Sequence, residues 1–152
     1  MLSVVPRFVL LCALVFVAAS AATAQQLKLE LKKDDHIAVI GNTLADRMQH
    51  AGHLEAMLHS RFPEHNLVVR DLGFSGDTLT ERPRSENFGS PDQWLSKVEA
   101  DVIVAFFGYN ESYAGEAGLP QFRKDLEAFV AHTLSQKYNG ESAPRLVLCS
   151  PT

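Results

Sequence analysis

The sequence is short of cysteine and of positive charge, and it lacks a long apolar run outside its first residues. Each shortage excludes something. Only two cysteines occur among the 152 residues, Cys12 and Cys149. Cys12 lies inside an apolar N-terminal stretch, so a chain that sheds this leader keeps one thiol and cannot close an internal disulfide. Cys149 sits in an apolar, strand-like pattern and reads as a buried, inert thiol. Lys and Arg number 14 against 18 Asp and Glu, a formal charge of −4, and the two signs are interspersed along the chain. A basic patch for nucleic acid is therefore not expected. There is no internal repeat and no low-complexity tract.

The first 24 residues read as a secretory signal peptide. Arg7 is the only charge ahead of or within the apolar run, and Ala22-Thr23-Ala24 offers a small-x-small cleavage site. The run from Phe8 to Ala22 falls short of the ~20 apolar residues of a spanning helix. The expectation is export to the periplasm or the exterior, a mature start near Gln25, and no membrane span after cleavage. Residues 25–152 are one domain's length of chain, enough to bury a core.

Within that domain, strand and helix patterns alternate. Leu27, Leu29 and Leu31 alternate with charged residues, as in an edge strand or an extended lead-in. His36 to Ile40 is a nearly continuous apolar run ending at Gly41, the pattern of a strand covered on both faces. From Leu44, apolar residues recur at Met48, Ala51, Leu54, Leu58 and Phe62, which predicts one helix ended by Pro63. Leu67–Val69 predicts a second strand, followed by a glycine-bearing segment and a long polar loop from Thr78 to Ser90.

Ser90-Pro91-Asp92-Gln93 then carries helix-start chemistry: Ser as N-cap, Pro at the first position and Gln at the third. The short helix to about Ala100 is expected to bury Trp94, Leu95 and Val98. Asp101–Phe107 is the clearest strand, β-branched and aromatic. Pro120 opens a helix with Phe122, Leu126, Phe129, Val130 and Leu134 on one face, and Leu146–Cys149 is a fourth strand. Such alternation predicts an α/β fold, a three-layer, flavodoxin-like and mainly parallel sheet with helices on both faces.

Three strand ends carry polar residues, where ligands bind in open α/β sheets. They read Gly41-Asn42-Thr43-Leu44, Ser75-Gly76-Asp77-Thr78 and Gly108-Tyr109-Asn110-Glu111. A hydroxyl beside N–H donors that converge on one oxygen is what acyl transfer needs. In order, spacing and strand context these blocks resemble those of the SGNH, or GDSL-type, esterases and lipases. The resemblance covers essentially the whole mature chain. It implies Thr43 at the nucleophile position, with Thr43 N–H, Gly76 N–H and the Asn110 side-chain amide as oxyanion donors. It implies no metal or cofactor and a small-molecule or carbohydrate ester as substrate.

The departures from that pattern are Thr43 for Ser, Asn42 for Asp and Glu111 for Asp. The methyl group of Thr43 stiffens its side chain and crowds a carbonyl's approach. The family's C-terminal Asp-x-x-His pair, whose His is the general base, has no counterpart here. The sequence therefore reads as an N-terminal fragment, inactive alone.

Other readings stand beside this one. Thr43 is a good helix N-cap, Gly73 and Gly76 suit turns, and Asn110 suits a loop bonding to its own backbone. Ser75 lacks the spacing of a nucleophile elbow. His50-x-x-His53 lacks the support of a metal site, and His36 and His132 read as structural. Arg82, Arg84 and Glu86 belong to the solvated loop, from which they could reach an anionic or sugar substrate. A catalytically inactive binding module on the same scaffold, taking a carbohydrate or another small ligand, is the competing function.

Overall fold

Strand β1 (His36–Gly41) forms the centre of the molecule, because Ile37 through Gly41 are buried on both faces of the sheet. The computed structural model describes residues 28–83 and 87–151, so the leader expected at residues 1–24 lies outside the described residues. After β1 come α1 (Thr43–Ala51), α2 (His53–Arg61), β2 (Val68–Asp71), α3 (Pro91–Lys97), β3 (Val102–Phe106), α4 (Leu119–Ser135) and β4 (Arg145–Cys149). The strands form one sheet in the order β2-β1-β3-β4. Every pairing is parallel.

Period-two alternation divides the strand residues between two layers of helix. Ala38, Ile40, Ile103 and Ala105 point to the face covered by α3 and α4, where Leu95, Val98 and Phe129 close the core. Ile37, Val102, Val69 and Val104 point the other way, against Leu58 and Phe62 from α2 and its end. The three-layer, flavodoxin-like α/β architecture expected from the sequence is the observed one. In this strand order the topological switch lies between β1 and β3, and ligands bind at the carboxyl ends of that pair.

The helix predicted from Leu44 to Phe62 is two helices. Gly52 adopts a left-handed conformation (φ 63°) and donates its N–H to the Met48 carbonyl, which closes α1 before α2 begins. The apolar spacing carries through the break, so periodicity alone hides it. The break also puts His50 and His53 on different helices. In α3 the predicted start is present in full: Ser90 Oγ accepts from Gln93 N–H, and the Gln93 side chain accepts from Ser90 N–H. The helix ends at Lys97, three residues earlier than expected.

In α4 the predicted face holds through Val130 and then turns. Leu134 is 45 % exposed, and Thr133 is buried beside Tyr138, which folds back into the core. Residues 28–32 form no strand and serve as an extended lead-in, with Leu31 packed on the α2 face.

At the amino end of the sheet, carboxylates tie the strands together. Asp101 accepts the His36 N–H (2.8 Å) and the Asn139 side-chain amide (2.7 Å). Asp35, 3 % exposed, accepts the Lys32 N–H and pairs with Arg145 of β4. His36 and His132, read as structural from the sequence, each hold a contact between elements. His36 Nδ1 lies 2.8 Å from the Val98 carbonyl, and His132 Nε2 lies 2.9 Å from Asp92, linking α4 to α3.

Candidate functional site

The carboxyl ends of the strands bring the three sequence blocks to one edge of the molecule. Gly41, the last residue of β1, has φ 133°, and a Cβ there would lie 2.2 Å from the Phe106 carbonyl oxygen. Only glycine lets β1 and β3 run side by side to their ends. The chain then turns directly into α1, and Asn42 N–H bonds the same Phe106 carbonyl at 3.1 Å.

Asn42, not Thr43, is the N-cap of α1, and no side chain caps this helix. Thr43 is its first helical residue, so the alternative reading of Thr43 as a helix cap is corrected. A cap must sit outside the helical turn to reach back to its amides. Asp46 N–H takes the Asn42 carbonyl, leaving the amides of Thr43 and Leu44 without a partner inside the helix. The Asn42 side chain is 3 % exposed, and its Nδ2 has no hydrogen-bond partner.

The second block is fastened onto the first. Phe74 N–H bonds the Gly41 carbonyl at 3.0 Å. A Cβ on Gly73 would meet Ala45 Cβ at 2.5 Å, so the loop lies flat on the start of α1 because this residue is glycine. Ser75 Oγ donates to Asp46 Oδ2 at 2.5 Å. This hydroxyl is chiefly what holds the Asp46 carboxyl below its ordinary value. The sequence-predicted Gly76 is exposed in the turn that follows, with φ 96°.

The third block is fastened onto the second. Asn110 donates its side-chain amide to the Asp77 carbonyl at 3.0 Å, which places it one residue from Gly76 in the neighbouring loop. Glu111 makes a further clamp that was not legible in the sequence: its two carboxylate oxygens accept Gly108 N–H and Leu79 N–H, each at 2.9 Å. The extra methylene relative to Asp gives the carboxylate a reach that spans both loops. Arg82 is not a solvated loop residue. Its guanidinium lies 4.5 Å over the Phe107 ring, and its Nε is 3.9 Å from buried Asp77. Arg84 and Glu86 lie outside the described residues.

Two clefts open nearby, and size and chemistry favour different ones. The larger, about 670 Å³, lies toward α3 and α4 beneath the 72–82 loop, and neither Thr43, Gly76 nor Asn110 lines it. Five aspartates line it, among them Asp71, whose carboxyl burial pushes above its ordinary value. Arg82 beside Asp77 and His132 beside Asp92 line it too, so its wall is of mixed charge. The smaller, about 300 Å³, is walled by Asn42, Thr43, Arg47, Phe107, Tyr109 and Cys149 among others, with no carboxylate. Gly76 and Asn110 do not line this cleft either: Tyr109 beside Asn110 does, whereas Phe74 and Asp77 on either side of Gly76 line the larger cleft. Cys149 is free and half-buried on the wall of this cleft, not fully buried as expected, and the burial it has raises its thiol pKa, which disfavours the thiolate.

Comparison of the sequence with protein-family models and with curated proteins gives no match. Among solved structures, the chain is similar in fold to a gut microbial diltiazem-metabolizing enzyme, with a TM-score of 0.57 and 18% sequence identity. The match covers 78% of this chain, which spans 27% of that enzyme's length. At that identity the likeness concerns the fold.

Proposed function

We propose that this chain belongs to an exported ester hydrolase of the SGNH type, acting on a small acyl or acetyl ester. The Thr43 hydroxyl, its proton passing to a base or to water, attacks the ester carbonyl; the C–O bond to the alcohol breaks, the alcohol leaves protonated, and water then hydrolyses the acyl-threonine to release the acid. The Thr43 N–H, the Gly76 N–H and the second amide hydrogen of Asn110 receive the oxyanion. The observation that carries this reading is the Asn110-to-Asp77 bond of 3.0 Å, which holds the third block against the second while Phe74 and Gly73 hold the second against the start of α1. A fold shared with a diltiazem-metabolizing enzyme is in keeping with a small-molecule substrate.

No histidine of the described residues lines the cleft of Thr43. General-base help is worth ~10²–10⁴ in rate, so the 152-residue chain alone is expected to turn over esters slowly at best. This gives the second reading, a binding module on the same scaffold, its support. The deciding measurement is p-nitrophenyl acetate hydrolysis by the chain and by the product of a longer reading frame, each with Thr43→Ala. Loss of ~10²-fold or more with Thr43→Ala in whichever form is active is the expected result. Equal rates would remove Thr43 from the mechanism, and saturable ligand binding without turnover in either form would favour the binding module.

A further inference from the structure

The cleft beside Thr43 is unlike the rest of this acidic molecule. It carries one formal charge, Arg47, and no carboxylate. Arg47 lies one helical turn beyond Thr43, is exposed, and makes no ion pair or hydrogen bond among the described residues. The nine-residue helix α1 presents its uncapped first turn here, a partial positive charge with free amides. The second and independent feature is Asn42, a residue of the same cleft wall whose Nδ2 is buried and has no hydrogen-bond partner. A buried amide donor left unmade is costly unless something else fills it. The nearest carboxylate in sequence, Asp46, is occupied by Ser75 and Gln49 and faces the other cleft.

We infer that this cleft is an anion subsite: Arg47 and the Asn42 amide recognise a carboxylate, or an equally small anionic group, on the acyl part of the ester. Here the neutral Asn42 matters as much as the cation. An aspartate at position 42 would set a buried negative charge against any anion at the helix start, whereas asparagine supplies a donor in the same volume. A cleft of about 300 Å³ suits a short acyl chain ending in a carboxylate. The inference rests on the proposed role of Thr43 in so far as the anion belongs to an ester, but anion binding can be read without turnover.

The test uses succinate as the probe, titrated calorimetrically into the chain at low salt, with neutral succinamide as control. Wild type should bind succinate in preference to succinamide. Affinity should fall about tenfold or more in Arg47→Gln, the scale of one charge-assisted hydrogen bond, and should fall again in Asn42→Asp. Because Arg47 is exposed, an unchanged unfolding midpoint will show that its variant is folded, which keeps the test valid if buried Asn42→Asp does not fold. In the active form, the ratio of kcat/KM for mono-p-nitrophenyl succinate over p-nitrophenyl acetate should drop by a similar factor in Arg47→Gln. Succinate binding that is absent in wild type, or equal in wild type and Arg47→Gln, overturns the subsite. Neither result would touch the hydrolase reading if Thr43→Ala still abolishes acetate-ester turnover. Intact succinate binding with no turnover in any form would instead remove the hydrolase reading and leave an anion-binding module.

Discussion

The two ends of the sheet use polar residues differently. At the amino end, Asp35 and Asp101 are engaged by backbone N–H groups, a guanidinium and an amide, and they join the lead-in, β1, β4 and the loop before β4. At the carboxyl end, the loops after β2 and β3 are joined to each other with similar thoroughness by Asn110 and Glu111. The turn after β1 is left open there, with an uncapped helix and an unpaired buried amide. The aspartates of the amino end meet their donors, whereas the turn after β1 keeps the buried Asn42 amide without a hydrogen-bond partner.

The comparison can be broken most severely at Gly41. A side chain there meets the Phe106 carbonyl and must also adopt φ 133°. Gly41→Ala is expected to lose about 3 kcal/mol or more of stability, combining backbone strain with separation of β1 from β3. Chemical denaturation would show it, and an unchanged midpoint would mean that the strand ends do not pack as described. Next in size is Asp101→Ala at the opposite end. It leaves the His36 N–H and the Asn139 amide without their acceptor and should cost about 2 kcal/mol. Binding at the carboxyl end should persist in that variant, because Asp101 touches none of the three blocks. A stability loss accompanied by lost succinate binding would show that the two ends are coupled.

The same contrast explains what could be read from the sequence. The order of elements, the parallel sheet and the Ser90 cap were legible because each rests on local chemistry: β-branched runs, strand-ending glycines and a capping box. The split at Gly52 was not, since a left-handed residue can interrupt a helix without disturbing apolar spacing. In the site, Asn110 lies in a motif block that points to donation, whereas the close approach falls on Gly73, which the sequence offered only as a turn glycine. Thr43 was equally easy to take for the cap, because whether a residue lies just outside or just inside the first turn depends on where β1 releases the chain. The double clamp of Glu111 depends on two backbone amides from separate loops, Gly108 and Leu79, whose juxtaposition exists only after folding. The orphaned amide of Asn42 is likewise a property of its surroundings.

The smallest expected effect sharpens the contrast within the open end itself. Asp71 and Asp46 flank the Gly73 loop and respond oppositely to folding. Burial raises the Asp71 carboxyl, so the native state holds its proton more tightly than the unfolded chain does. Its contribution to stability is fully present below the ordinary aspartate range, roughly pH 4, and is lost as pH rises through the raised folded value. Asp46 is held down chiefly by the Ser75 hydroxyl, so its contribution is present above roughly pH 4 and is lost as pH falls through the lowered folded value. Together the two groups give a shallow stability maximum near that pH. Asp71→Asn should remove the decline on its alkaline side while an amide oxygen can still accept the Gly73 N–H. Ser75→Ala should flatten the acid side. Each change is expected to be below about 1 kcal/mol, because Asp46 is largely solvated and screened. Denaturation midpoints measured across pH 2 to 7 for the three proteins would resolve the two limbs. If both variants altered the same limb, the Gly73 loop would not be seated between the two carboxylates as the structure has it.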